Sequence, residues 1–123
     1  EFIIFNYDAL EMYRSVYICE GALNALTIGD RGIATMGKAI SGYQVNELLK
    51  SSCERFIILL DPDAKKYAIN LALKLVAYKK VKVVFLPEGK DVNDLGRKET
   101  LRLVYQTRYQ SYQDLIQIRN SLE

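Results

Sequence analysis

Phe56-Ile57-Ile58-Leu59-Leu60 is apolar at every position and runs straight into Asp61-Pro62-Asp63. A short run without polar alternation describes a strand covered on both faces. Such strands belong to parallel sheets packed between two layers of helices. The switch to acid, proline, acid marks the sheet edge, because Pro62 biases Asp61 toward extended backbone.

The rest of the chain alternates around this strand. Residues 16–19 form a short apolar strand ending at Glu20-Gly21, and in 22–28 Ala22, Leu23, Ala25 and Leu26 recur at helical spacing before Gly29 stops the helix. Residues 32–36 read as a second strand closed by Gly37, and Ser41 caps a helix carrying Val45, Leu48 and Leu49 on one face. Past Asp63 the pattern predicts a helix over 64–78, with Ala68, Leu71, Ala72 and Leu75 inward, then a fourth strand over 81–86 stopped by Pro87-Glu88-Gly89. One helical turn over 91–95, a helix over 99–109 and a helix over 111–122 follow, the last opening on the capping pattern Ser111-x-x-Asp114. Strands alternating with helices predict a parallel sheet with right-handed crossovers and helices on both faces.

Composition removes many chemistries. The chain of 123 residues has the length of one domain, and with 50% apolar and 26% charged residues it has the balance of a soluble globular one. There is no histidine, which excludes Ser-His-Asp and Cys-His catalysis and every histidine-bearing metal site. Cys19 and Cys53 are too few and too far apart for a zinc cluster and read as small buried residues. The net charge of +2 does not by itself identify a nucleic-acid binder. No apolar run approaches the roughly 20 residues of a membrane span and no leader pattern opens the chain, so a cytoplasmic location without membrane contact is expected. Residues 2–5 form another apolar, strand-like run, and Glu1 is not an initiator methionine, so a piece of a longer protein is expected.

In open parallel sheets the site lies at the carboxyl ends of the strands. Three of the four predicted ends carry acid: Glu20 after the first, Asp61 and Asp63 after the third, Asp91 and Asp94 shortly after the fourth. Carboxylates gathered at one edge repel each other unless a cation neutralises them, and hard oxygen donors favour magnesium or manganese. Asp63 could instead cap the following helix, and Asp91, with Asp94, could serve the turn that follows it. Glu20 has no capping rationale. Gly21 permits a sharp strand-to-helix turn, including positive φ. A shared site requires the first and third strands to be neighbours, which a strand order of 2-1-3-4 satisfies.

The order and spacing of these motifs resemble a Toprim domain, the metal-binding module of bacterial and phage primases, topoisomerases and some nucleases. The resemblance rests on Ile18-Cys19-Glu20-Gly21 and Asp61-Pro62-Asp63. It is sharpest to the primase branch, through Gly37, the Ser41–Gln44 helix start and Leu86-Pro87-Glu88-Gly89-Lys90-Asp91-Val92-Asn93-Asp94. It implies a Rossmann-like α/β core over 16–96, a lead-in over 1–15 and a helical extension over 97–123. It also implies that Glu20 is a metal or acid/base carboxylate, Asp61 and Asp63 are magnesium ligands, and Asp91 is a supporting acid. The implied chemistry is nucleotidyl transfer for primer synthesis in DNA replication. The partners implied for the parent protein are single-stranded DNA template, nucleoside triphosphates and a replicative helicase. Asn24 stands where primases usually carry aspartate, and Lys65-Lys66 replace a usual Ala-Gly pair; these lysines, with Lys90, Asn93 and Asp94, are candidate phosphate-side residues or solvent-facing ones. Two other readings stay open: a Toprim nuclease or topoisomerase fragment, and a non-catalytic module using Arg97, Lys98, Arg102 and Arg108 to touch nucleic acid or a helicase. That basic series can equally be a solvated helix face. For a topoisomerase, Tyr105, Tyr109 and Tyr112 are expected on helices away from the acids.

Overall fold

Four short strands pair in parallel in the computed structural model, which describes residues 3–123. They are β1 (Ser15–Cys19), β2 (Gly32–Ala34), β3 (Arg55–Ile58) and β4 (Lys80–Val83), in the order β2-β1-β3-β4. The crossovers carry α2 (Ala22–Ile28), α3 (Gly42–Lys50) and α4 (Lys65–Leu75). A short α1 (Ala9–Met12) precedes β1, and α5 (Val92–Gln106) and α6 (Tyr112–Ser121) follow β4. The fold is the doubly covered α/β sheet that the alternation predicts, in the expected order.

The two-residue period of the strands sorts the core into two layers. Val16, Ile18, Phe56, Ile58, Val81 and Val83 meet Leu10 of α1, Leu48 of α3, the buried face of α4 and Leu115 of α6. On the opposite face Cys19, Ala34 and Ile57 pack with Ala25 and Ile28 of α2 and with Val92 and Val104 of α5. Both cysteines are buried and unpaired. Three helices start on reciprocal capping boxes, Ser41 with Gln44, Asp91 with Asp94, and Ser111 with Asp114. Among the described residues no helix is long and apolar enough to cross a membrane.

The structure corrects several boundaries. Leu60 and Leu86 are buried but lie past the ladder, so their apolarity reports burial rather than strand pairing, while Leu59 and Val84 close the ladder by donating their N–H groups to the Ile18 and Ile58 carbonyls. β2 likewise ends at Ala34, and the helix expected over 64–78 begins as a 3-10 turn, Pro62–Ala64, and ends at Leu75. Leu23 and Leu26 are exposed; α2 turns Asn24, Ala25 and Ile28 inward instead. The helix expected over 99–109 ends at Gln106, which leaves Tyr109 in a loop. It is continuous with the preceding turn except at Gly96, whose φ of 83° breaks the helical path. Of the apolar run over 2–5, Phe2 lies outside the described residues, and Phe5 makes an isolated antiparallel bridge to Ala34 rather than a strand.

Gly32 is required by close approach. A Cβ there would stand 2.3 Å from the Ala25 carbonyl oxygen, where α2 is pressed against the start of β2. Gly32→Ala should therefore destabilise the domain by about 1–3 kcal/mol through overpacking. Gly42→Ala, at a helical position where a Cβ meets nothing within 4 Å, should stabilise it by about 0.5–1 kcal/mol. Urea unfolding midpoints of the two variants check both signs.

Candidate metal centre

The register between β1 and β3 sets Ile18 level with Ile58. The chain leaves these neighbouring strands with Glu20 on one and Asp61 on the other. Asp61 is extended (φ −59°, ψ 154°), as a residue before proline should be, and the 3-10 turn at Pro62 brings Asp63 round to the same end. One carboxylate oxygen each from Glu20, Asp61 and Asp63 lies within 4.8 Å of the others.

Glu20 Oε1 and Asp61 Oδ1 are buried and have no hydrogen-bond partner. Leaving such oxygens undonated costs free energy, because water has been removed and nothing replaces it. Burial raises the Glu20 pKa, and the Asp61 charge adds to the rise. Burial likewise raises Asp61, followed by the charges of Asp91 and Asp63. Behind them the Cys19 thiol is pushed up to about 12 by burial and then by Asp61, which leaves it inert. Hard carboxylate oxygens, two of them buried and undonated, fit magnesium or manganese.

Lys38, which the sequence pattern did not single out, stands at this cluster. Its Nζ donates to Asp63 Oδ2 at 2.9 Å, and its charge opposes the rise at both Glu20 and Asp61. It lies in the loop after β2, beside Gly37, whose carbonyl accepts from the Thr35 hydroxyl.

The remaining candidates divide. Asp91 and Asp94 cap α5: the Asp94 N–H donates to Asp91 Oδ1 at 2.8 Å and the Asp91 N–H to Asp94 Oδ2 at 3.0 Å. They nevertheless line, with Asp61, Asp63, Glu88 and Lys90, an open concavity of about 350 Å³. Asp63 caps nothing; α4 has no side-chain cap. Lys65 pairs with Glu88 at 3.3 Å, and Lys66 is exposed. Asn24 is buried, and its Oδ1 accepts the Asn93 N–H at 3.2 Å, tying α2 to the start of α5. Gly21 has φ −117°, so the turn after Glu20 needs no left-handed residue; glycine there is an ordinary extended N-cap. In the basic series, Arg97 Nε donates to the Ile28 carbonyl and Arg102 pairs with Glu99, while Lys98 and Arg108 are exposed. A larger cleft of about 480 Å³, lined by Phe5, Met12, Tyr13 and Leu26, holds no carboxylate cluster.

A family model described as Toprim-like matches residues 17–96. The DNA primase of Lactococcus lactis subsp. lactis (strain IL1403) is 29% identical over 92 residues, 71% of this chain and 14% of that protein. The E. coli primase catalytic core superposes with a TM-score of 0.72 at 17% identity, over 97% of this chain and 42% of that one. The chain thus spans less than half the length of either relative.

Raised carboxylates fix the sign of the pH dependence. The folded state holds these protons more tightly than the unfolded chain, so metal-free stability falls as pH rises from the ordinary carboxylate range through the raised values. Asp61→Asn should remove part of that fall and be more stable than the parent chain at neutral pH without metal. Added manganese should reverse the ranking. At a free concentration one hundredfold above its dissociation constant, linkage stabilises the parent by about 2.7 kcal/mol. The variant should gain little. Lys38→Ala should bind manganese more tightly than the parent, since an ion arriving at Asp63 no longer competes with an ammonium group. Thermal unfolding against pH and metal concentration checks all three.

Proposed function

This chain belongs to the Toprim-like family, and from that premise we propose that it is the metal-binding catalytic domain of a DNA primase, serving nucleotidyl transfer in RNA primer synthesis. The observation that carries the reading is the convergence of Glu20, Asp61 and Asp63, with two buried oxygens that lack any donor. Similarity to the two primases favours this branch over strand-breaking relatives.

In this reading Glu20, Asp61 and Asp63 hold the cation, and Asp91 supports them from the first turn of α5. Magnesium or manganese bound there supplies charge neutralisation at the triphosphate and orients the 3′-hydroxyl for in-line attack. Glu20 serves in this reading either as a ligand of that cation or as the acid/base carboxylate that takes the hydroxyl proton. Lys90, on the rim of the concavity, and Lys65 and Lys66, at the start of α4, are placed to meet phosphate oxygens. Template and nucleotides engage through the parent protein, in the cytoplasm of a bacterial or phage-infected cell, with a replicative helicase as a further partner.

The test is ribonucleotide joining on single-stranded DNA by the full-length parent. Glu20→Gln or Asp61→Asn should lower it roughly a hundredfold or more, the scale of losing one electrostatic stabiliser of a transition state. Circular dichroism should stay unchanged. The 123-residue chain alone should synthesise little, because positioning template and two nucleotides contributes much of the barrier reduction. A parent that nicks DNA and joins no nucleotides under any metal condition would transfer the same carboxylates to nuclease chemistry.

A further inference from the structure

At the opposite edge of the sheet, where the strands begin, the chain gathers rings and cations that the metal reading leaves unused. This edge is one strand length away, about 15 Å at roughly 3.3 Å per residue. Tyr13 precedes β1, Tyr17 lies within it, Arg31 precedes β2, and α5 contributes Arg97 and Tyr105. They line a single cleft of about 380 Å³, within the size range of small-ligand sites.

The chemistry of the lining is specific. The Arg31 guanidinium lies 4.9 Å from the centroid of the Tyr13 ring and forms no ion pair among the described residues. Arg97 is anchored through Nε to the Ile28 carbonyl at 2.8 Å, and among the described residues its two terminal nitrogens have no protein partner. Tyr105 is 76% exposed, far more than packing on α5 requires. Burial raises the Tyr17 hydroxyl, Tyr105 and Tyr109 add to the rise, and Arg31 and Arg97 oppose it, so all five groups share one field. The row continues to β4, where the Lys80 and Lys82 ammonium groups stand 5.7 and 4.7 Å from the Tyr109 ring centroid.

Two features weigh against an anion here. Asp30 is on the cleft wall, and α2 and α5 both end at this edge, presenting carbonyls. Those carbonyls are already served. Arg97 takes that of Ile28, and the buried Lys82 donates to Val104 and Thr107 at 2.9 Å each. Lys82 is therefore a structural cap, while Arg31 and the outer end of Arg97 are free to meet phosphate.

Exposed π faces alternating with guanidinium planes are the surface on which unstacked bases and their phosphates are held. We propose that this edge binds single-stranded nucleic acid, with bases stacked on Tyr105 and on the Tyr13–Arg31 pair and phosphates against Arg31 and Arg97. The site is separate from the carboxylates and needs no metal.

The test uses the whole 123-residue chain and a fluorescein-labelled oligothymidylate about twelve nucleotides long, followed by anisotropy at low salt with chelator present. Saturable binding is expected, weakened roughly tenfold or more by the double change Arg31→Ala with Tyr105→Ala, both exposed positions. Tyr105→Phe should retain it, and Arg31→Ala alone should reduce the salt slope by about 1. Lys74→Ala, an exposed cation in the last turn of α4 outside both sites, should leave it unchanged. The proposal is overturned if the double variant binds like the parent, if Lys74→Ala weakens binding as much as the double change does, or if no saturable binding occurs. It is overturned equally if thymidine monophosphate competes as well as the oligonucleotide does, since the cleft would then take a nucleotide and not a strand.

Discussion

The parallel ladder that joins Ser15 to Arg55 and ends with Ile18 beside Ile58 holds two carboxylates together against their own repulsion. Glu20 and Asp61 extend from adjacent strands, and their inner oxygens are buried with no protein donor. Nothing local to either residue would bring them together. What does so is pairing between strands some forty positions apart in sequence, clamped by the buried layers on both faces. Parallel pairing in turn demands crossovers, and the crossover helices supply those layers. Lys38 relieves part of the repulsion, so the cluster already has a monovalent counter-charge in a loop.

The two ends of the sheet are chemically opposite because strands and helices end there in opposite senses. At the carboxyl ends of the strands lie the acids and the start of α5, capped by Asp91. At the amino ends lie the last carbonyls of α2 and α5, which draw Arg97 and Lys82. Helix termini therefore account for part of the cation density at that edge. They do not account for Arg31 or for the exposed ring of Tyr105, neither of which caps anything.

Much of this was legible in residue order, for reasons that differ by element. The strand order followed from electrostatics: if Glu20 and Asp61 share a cation, their strands must be neighbours. Capping at Ser41 and Ser111 followed from side-chain chemistry a few residues long. The strand ends were over-read because an apolar run signals burial, and Leu60 and Leu86 are buried without ladder partners. The inward face of α2 was not legible because its apolar residues lie on both sides, and the buried Asn24 is held by a hydrogen bond to another element. α1, a single turn, carries no periodicity to detect. Lys38 had no signal either, since a lone loop lysine acquires meaning only when the fold sets it against Asp63.

Gly96 divides α5 into two pieces with different attachments. The front turn is tethered to α2 through Asn24 and faces the carboxylates, while Arg97, just past the break, fixes the rear segment to the last turn of α2. An unbroken helix would act as a rigid lever, so any tilt at the Asp91 end would swing Tyr105 at the far end. A joint at φ 83° shortens that lever to a single turn. The break therefore lets each piece of α5 take its own line, the front turn along the acids from Asn24 and the rear segment along the aromatic edge from Ile28, while α2, to which both are tied, remains their common support.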